Sequence, residues 1–116
     1  RLKEGGMKPM RRSYNKLVRD NMPRLIKESG RDCSYRIMND QEYFDALLDK
    51  VMEEIEEYRA SGNEEEIADV YEVLDCLVQF KEYEPMHIDY LRLIRKEARG
   101  SYKDRVLLID VEAEDE

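Results

Sequence analysis

Two stretches with helical hydrophobic spacing, separated by a short breaker, constrain the fold of this chain most strongly. Apolar side chains recur at intervals of three, four and seven in residues 41–60, and residues 64–82 carry a second apolar stripe. Such spacing places apolar side chains on one face of an α-helix. The breaker, Ser61-Gly62-Asn63, favours a tight turn. The pattern therefore predicts two long antiparallel helices that pack through their apolar faces.

The remaining segments predict two further helices and a small β element. A short helix is expected around Pro23, and a third long helix from Met86 to Arg99 is expected to lie across the helix pair. Residues 33–38 alternate in polarity and residues 105–111 are strand-like, so these two segments could pair with each other. The expected fold class is mainly α: an antiparallel helical bundle with a two-stranded addition.

The length of 116 residues fits one domain with a modest core, which favours an oligomer that shares core surface. Residues 13–111 are expected to form this domain. Residues 1–12 have no periodicity and are predicted to be a flexible leader, and residues 112–116 are predicted to be an acidic tail.

The net charge of −8, from 28 acidic and 20 basic residues, argues against nucleic-acid polymers as partners. The same surplus suits a protein that holds a divalent cation, which then attracts an anionic ligand. Cys33 and Cys76 lie far apart and there is one histidine, which argues against a zinc site. No apolar run approaches the ~20 residues of a membrane span, and the cysteine usage suits a reducing cytosol, so a cytoplasmic location is expected.

Carboxylates on the packed faces of the two long helices are the main candidates for chemistry. On the first helix, Glu54 and Glu57 fall one turn apart beside the apolar stripe. On the second helix, Glu66 falls within the apolar stripe and Asp69 at its edge. An antiparallel pair would make these four side chains converge. Buried ionised carboxylates need a compensating cation, and oxygen-preferring Mg²⁺ suits them, although ligand type does not separate it from Mn²⁺.

A purely structural role for these acids also fits the sequence. Glutamate-rich helices are usually solvated faces on which acids pair with Lys or Arg one turn away. In that case the chain is a structural helical dimer and the acids bind no metal.

Four blocks of sequence together carry a family resemblance. In chain order they are YNKLVRDNMP (14–23), EEIEE (53–57), EIAD (66–69) and EARGSYKDRVLL (97–108). This arrangement resembles the MazG-like superfamily of all-α nucleotide pyrophosphohydrolases, and in particular its phosphoribosyl-ATP pyrophosphohydrolase-like branch. The resemblance covers residues 13–110.

The resemblance implies a site and an assembly. It implies Mg²⁺ held by Glu54, Glu57, Glu66 and Asp69, with Glu53 supporting these ligands or holding a second ion. It also implies a homodimer or a dimer of dimers.

The reaction expected from this resemblance is attack of water on the α-phosphorus of a nucleoside triphosphate, with pyrophosphate leaving. Glu53 or Glu54 is the candidate to orient or deprotonate the water. Further polar and cationic residues are candidates for substrate binding: Asn15, Lys16, Arg19, Lys50, Lys96, Arg99 and Lys103. Lys50, flanked by acids on its helix face, is better suited to balancing their charge.

Three functions therefore stay open. The first is a Mg²⁺-dependent nucleoside triphosphate pyrophosphohydrolase that clears non-standard nucleotides, with phosphoribosyl-ATP hydrolysis as a lower-ranked variant. The second is a nucleotide-binding or regulatory helical dimer without turnover. The third is the purely structural dimer.

Overall fold

The computed structural model describes residues 10–114, and these residues form four α-helices. The helices are α1 (Met22–Glu28), α2 (Asp40–Ser61), α3 (Glu64–Phe80) and α4 (Pro85–Arg99). The mainly helical prediction is confirmed. The predicted leader lies largely outside the described residues, at positions 1–9, as do positions 115–116 of the predicted tail.

Local capping interactions explain where α2 begins and where the hairpin turns. Asn39 and Glu42 form a capping box: the Asn39 side chain accepts a hydrogen bond from the Glu42 N–H at 2.9 Å, and the Glu42 carboxylate accepts one from the Asn39 N–H at 3.1 Å. Gly62 ends α2 in the left-handed conformation, with φ 68°. The Asn63 side chain then caps α3 by accepting a hydrogen bond from the Glu65 N–H at 2.9 Å.

The packed part of the described chain is the α2–α3 hairpin, which is antiparallel. At its open end, Phe80 of α3 meets Tyr43 edge-on at 5.1 Å between ring centroids and stacks on Phe44 at 6.4 Å. Within the described residues, Leu47 and Val70 are the buried hydrophobic side chains, and of these Leu47 is fully buried. This core is very small for a chain of this length, because most apolar side chains have no helix packed over them.

The predicted third long helix forms as α4, but it does not pack across the hairpin. No residue of α4 is buried, and α4 makes no extensive interface with another described helix. The radius of gyration is 21.2 Å, against about 13 Å for a compact domain of ~100 residues. The periodicity identified an apolar face on α4, but it carried no information about which surface covers that face.

The predicted β element does not form in the described chain. Neither residues 33–38 nor residues 105–111 contain a strand. A strand requires a hydrogen-bonded partner, and alternation alone does not supply one. Because α4 does not fold back onto the hairpin, the two segments are not brought together. Residues 106–109 therefore leave four consecutive apolar side chains exposed.

None of the described helices has the length and apolar character that crossing a membrane requires.

Replacing Gly62 by alanine tests the hairpin turn. A side chain at φ 68° is strained, and an added Cβ meets no atom within 4 Å, so the effect is confined to the backbone. We expect Gly62→Ala to lower the free energy of unfolding by about 1 kcal/mol. Gly62→Asn, which tolerates this conformation better, should lower it less. Urea denaturation measures both, and equal stability of wild type and Gly62→Ala would contradict the assignment of this turn.

Candidate metal centre

Five carboxylates from α2 and α3 form one cluster, which we call the carboxylate cluster. Its members are Glu53, Glu54, Glu57, Glu66 and Asp69. They form two overlapping groups, one on α2 and one that bridges both helices, and Glu54 belongs to both. Within each group, one carboxylate oxygen from each residue lies within 4.8 Å of the others. The structure thus brings together the acids that the helical spacing placed on the facing sides of the hairpin.

Glu54 lies at the centre of this cluster and is its buried member. Only 6% of Glu54 is exposed, and its Oε1 atom has no hydrogen-bond partner. Its other oxygen, Oε2, lies 3.4 Å from the Lys50 Nζ. Burial raises the pKa of Glu54, and the nearby charges of Glu57 and Asp69 raise it further. A buried carboxylate oxygen without a partner is energetically unfavourable, so this atom is well suited to a cation.

The pKa values of Glu53 and Glu57 are shifted in opposite directions. A hydrogen bond to Glu53 raises the pKa of Glu57. Partial burial alone would raise the pKa of Glu53, but hydrogen bonds from Lys16 and Lys50 outweigh it and lower that pKa overall. Its cationic partners therefore favour the ionised form of Glu53.

Three of the cations predicted to bind substrate lie at the cluster. Lys16 donates to Glu53 at 2.9 Å, and Arg19 donates to Asp69 at 2.6 Å. The third cation, Lys50, donates to Glu53 at 3.0 Å. The hydrogen bonds to Glu53 and Asp69 raise the pKa values of Lys16 and Arg19, so both side chains are charged at neutral pH.

The other predicted substrate-binding residues are not brought to the cluster. Lys96 and Arg99 lie on exposed α4, and Lys103 follows it, so none of the three is placed near the five carboxylates by the packing of the described chain. The reason is the position of α4, which does not fold onto the hairpin. Asn15 is exposed next to Lys16, with a φ of 47°, and makes no hydrogen bond to the cluster within the described residues.

Sequence reasoning missed one residue that contacts the cluster. The Ser61 hydroxyl donates a hydrogen bond to Glu66 at 2.6 Å, across the turn that joins α2 to α3. The sequence signal for this contact was the short hydroxyl side chain of Ser61, five residues before Glu66. Three other acids of the same two helices, Glu56, Glu72 and Asp75, lie outside the cluster and are all exposed.

The donor set fits a hard divalent cation. Five carboxylates supply only oxygen ligands, which is the preference of Mg²⁺ and Mn²⁺. Glu54, whose Oε1 atom is unpartnered, belongs to both groups of carboxylates and so joins the acids of the two helices. The cluster therefore combines a surplus of negative charge with a buried oxygen that no group of the described chain satisfies.

Comparisons with known proteins assign no family. No family model matches this chain. A protein of Mycolicibacterium smegmatis (strain ATCC 700084 / mc(2)155), described only as uncharacterized, is 49% identical over 45 residues, which are 39% of this chain and 46% of the relative. The match thus spans less than half the length of this relative. No solved structure matches.

Neutralising Glu54 tests the electrostatic strain of the cluster in the absence of metal. We expect Glu54→Gln to raise the free energy of unfolding at pH 7 by about 1 kcal/mol, because it removes a buried charge that lacks a full set of partners. The matched control is Glu56→Gln, on the exposed side of the same helix, which should change stability little.

The gain from Glu54→Gln should depend on pH with a defined sign. The pKa of Glu54 is raised above its ordinary value of 4.5, so the fold disfavours its ionised form. The gain should be full at neutral pH, decline as pH falls through the raised pKa, and vanish near pH 4.5 and below. Chemical denaturation between pH 4 and 8 measures this profile. Destabilisation at neutral pH would show instead that favourable contacts dominate at this carboxylate.

Proposed function

We propose that this protein binds Mg²⁺ in the carboxylate cluster and hydrolyses a nucleoside triphosphate to the monophosphate and pyrophosphate. The observation that carries the proposal is the burial of Glu54, which has an unpartnered Oε1 and belongs to both groups of carboxylates. Solvated acidic faces do not have this feature, because their oxygens are satisfied by water. Mn²⁺ fits the same ligands.

The metal ligands in this proposal are Glu54, Glu57, Glu66 and Asp69. The two helices of the hairpin each supply two of these ligands. Helical bundles commonly build metal sites in this way, from inward carboxylates on facing helices. Carboxylates hold Mg²⁺ while leaving it several waters and room for phosphate oxygens.

Each residue of the cluster has a role in the proposed reaction. The bound metal supplies a more acidic water and neutralises charge on the phosphate oxygens. Either Glu53, kept ionised by its cationic partners, or Glu54 orients the attacking water and accepts its proton. The water oxygen bonds to the α-phosphorus, the bond between that phosphorus and the bridging oxygen breaks, and pyrophosphate leaves. Lys16 and Arg19 are placed to contact phosphate oxygens.

The resemblance to the MazG-like superfamily supports this reaction. It rests on the acidic motifs at 53–57 and 66–69 and on the blocks at 14–23 and 97–108. The helical hairpin that carries the acids is consistent with an all-α member. Non-standard nucleotides are the proposed substrates, with phosphoribosyl-ATP as the less favoured one.

The chain is also proposed to act as a homodimer or a dimer of dimers. Two buried hydrophobic side chains are a very small core for the described residues 10–114, and small domains bury the least surface when alone. On the apolar face of α4, Leu91 remains 41% exposed and Ile94 40% exposed, and neither has a partner helix. A second copy that covers α4 would supply the missing packing.

A nucleotide-binding protein without turnover is the second candidate. The cations Lys16 and Arg19, already beside the carboxylates, would hold a metal–triphosphate complex whether or not water attacks it.

The oligomer proposal predicts a mass in solution of at least twice the chain mass of 13.9 kDa. Leu91→Glu, on the apolar face of α4, should shift the protein toward monomer and lower its stability, because it buries a charge at the proposed interface. Arg92→Glu, on the exposed side of α4, is the matched control. Light scattering coupled to size exclusion measures the mass, and a monomeric wild type would contradict the proposal.

The enzymatic proposal predicts metal-dependent pyrophosphate release from at least one member of a panel of standard and modified nucleoside triphosphates. Glu54→Gln and Asp69→Asn should each lower the rate about 100-fold or more, because each removes a ligand charge. Glu56→Gln and Glu72→Gln, both outside the cluster, are the controls and should retain activity. Metal binding without release from any nucleotide would favour the second candidate, and the absence of both would leave only a structural dimer.

A further inference from the structure

The N-terminal segment, residues 13–20, lies against the carboxylate cluster and supplies two cations to it. Lys16 pairs with Glu53 of α2 at 2.9 Å, and Arg19 pairs with Asp69 of α3 at 2.6 Å. The segment is thereby tied to both helices of the hairpin.

These two contacts are made to residues that a metal would need. Asp69 is one of the proposed ligands, and Arg19 holds one of its oxygens. Glu53 lies in the same group of close carboxylates as Glu54 and Glu57. A cationic side chain and a divalent ion this close repel each other, so the two cannot occupy these oxygens together without a loss of free energy. Even with both cations in place, the Oε1 of Glu54 remains unpartnered, so the segment compensates the cluster only in part.

The exposure of the two ion pairs makes them exchangeable. The Lys16 and Arg19 side chains are 41% and 62% exposed, against 15% for Lys50. Exposed pairs of this kind contribute little to stability, and they are readily replaced by a stronger competitor. The Met22 N–H donates a hydrogen bond to the Arg19 carbonyl oxygen at 3.0 Å. This bond anchors the segment at its junction with α1 rather than along the cluster.

We propose that Lys16 and Arg19 are internal counter-ions that a divalent cation displaces from the carboxylate cluster, and that the displaced side chains then bind the phosphates of the nucleotide. The inference rests on the proposed function for the identity of the anionic ligand. Guanidinium and ammonium groups bind phosphate oxygens as well as carboxylates, so the same two side chains serve both states. Metal and triphosphate then bind cooperatively, and each raises the affinity for the other by the same factor.

This exchange predicts effects of opposite sign in one variant. The double variant Lys16→Met/Arg19→Met should bind Mn²⁺ alone about tenfold more tightly than wild type, because two competing pairs are removed and each is worth less than a factor of ten. The same variant should bind a metal–triphosphate complex about tenfold more weakly, because the phosphate contacts are lost. If the Lys16 and Arg19 side chains only supported the fold, removing them would not strengthen metal binding.

Titration calorimetry on the full chain tests this, with Mn²⁺ alone and then with a nucleoside triphosphate whose α,β-bridging oxygen is replaced by a methylene group. Arg11→Met is the matched control, since Arg11 pairs with Asp32 outside the cluster at 2.7 Å. It removes one positive charge beside the same segment, where the double variant removes two, and should change neither affinity appreciably. Thermal unfolding of each variant confirms that folding is retained.

Trypsin gives an independent readout of displacement, because it cleaves after Lys16 and Arg19. Mn²⁺ alone should speed cleavage at these two bonds several-fold relative to cleavage after Arg11. Slower or unchanged cleavage would show that the segment stays on the cluster when metal binds, and would overturn the proposal.

The outcomes separate this proposal from the enzymatic one. Pyrophosphate release by wild type, together with unchanged or weaker Mn²⁺ binding by the double variant, overturns the displacement and leaves the function. Tighter Mn²⁺ binding by the double variant, with no release from any nucleotide, supports the displacement and contradicts the function. If neither wild type nor the double variant binds metal, the displacement and the enzymatic function are both contradicted.

Discussion

The carboxylate of Glu54, buried between α2 and α3 with one oxygen unpartnered, is the constraint on which the site depends. An apolar side chain at that position would carry no electrostatic penalty. The position instead holds a charge whose pKa is raised by burial and by neighbouring carboxylates. Surrounding groups compensate it in part: Lys50 from its own helix, and Lys16 and Arg19 through the neighbouring acids. The local arrangement is therefore organised around a negative charge rather than around a tight apolar contact.

The second constraint is the shortage of buried surface. The hairpin buries little more than Leu47 and Val70, with a small aromatic group at its open end. Stability of the hairpin must then rely on its capping interactions, which fix α2 and α3 locally, and on whatever covers α4. A metal ion bridging the two helices and a second copy of the chain would act in the same direction, since each stabilises only the folded hairpin.

The charge distribution links these two constraints. The net charge of −8 is concentrated in part on the facing sides of α2 and α3, where the acids converge. Besides Lys50 of α2, the cations that meet them come from residues 13–20, outside the hairpin, and are exposed. An anionic ligand is repelled by the acids unless a cation intervenes, and it is attracted by the same segment once that segment is free. In the proposed exchange, this short stretch of chain serves the site both before and after a metal binds.

The sequence by itself determined the helices and the position of the acids along them. Capping residues, Gly62 and the apolar spacing are local, so they predicted α2 and α3 to within two residues at each end. The 3.6-residue repeat placed Glu54, Glu57, Glu66 and Asp69 near the packed face, and a single antiparallel turn was enough to make them converge. The identities of the metal and the reaction remain inferences from chemistry and resemblance.

Tertiary structure alone decided the rest. Periodicity on α4 and alternation in residues 33–38 and 105–111 describe faces that need partners, and no local rule states which surface provides one. The structure leaves α4 unpacked and the two segments apart, so Lys96, Arg99 and Lys103 do not reach the cluster in one chain. The depth of Glu54, the contact from Ser61, and the ion pairs of Lys16 and Arg19 across more than 30 positions also required coordinates. Contacts between residues distant in sequence depend on how elements meet, and spacing within an element does not encode that.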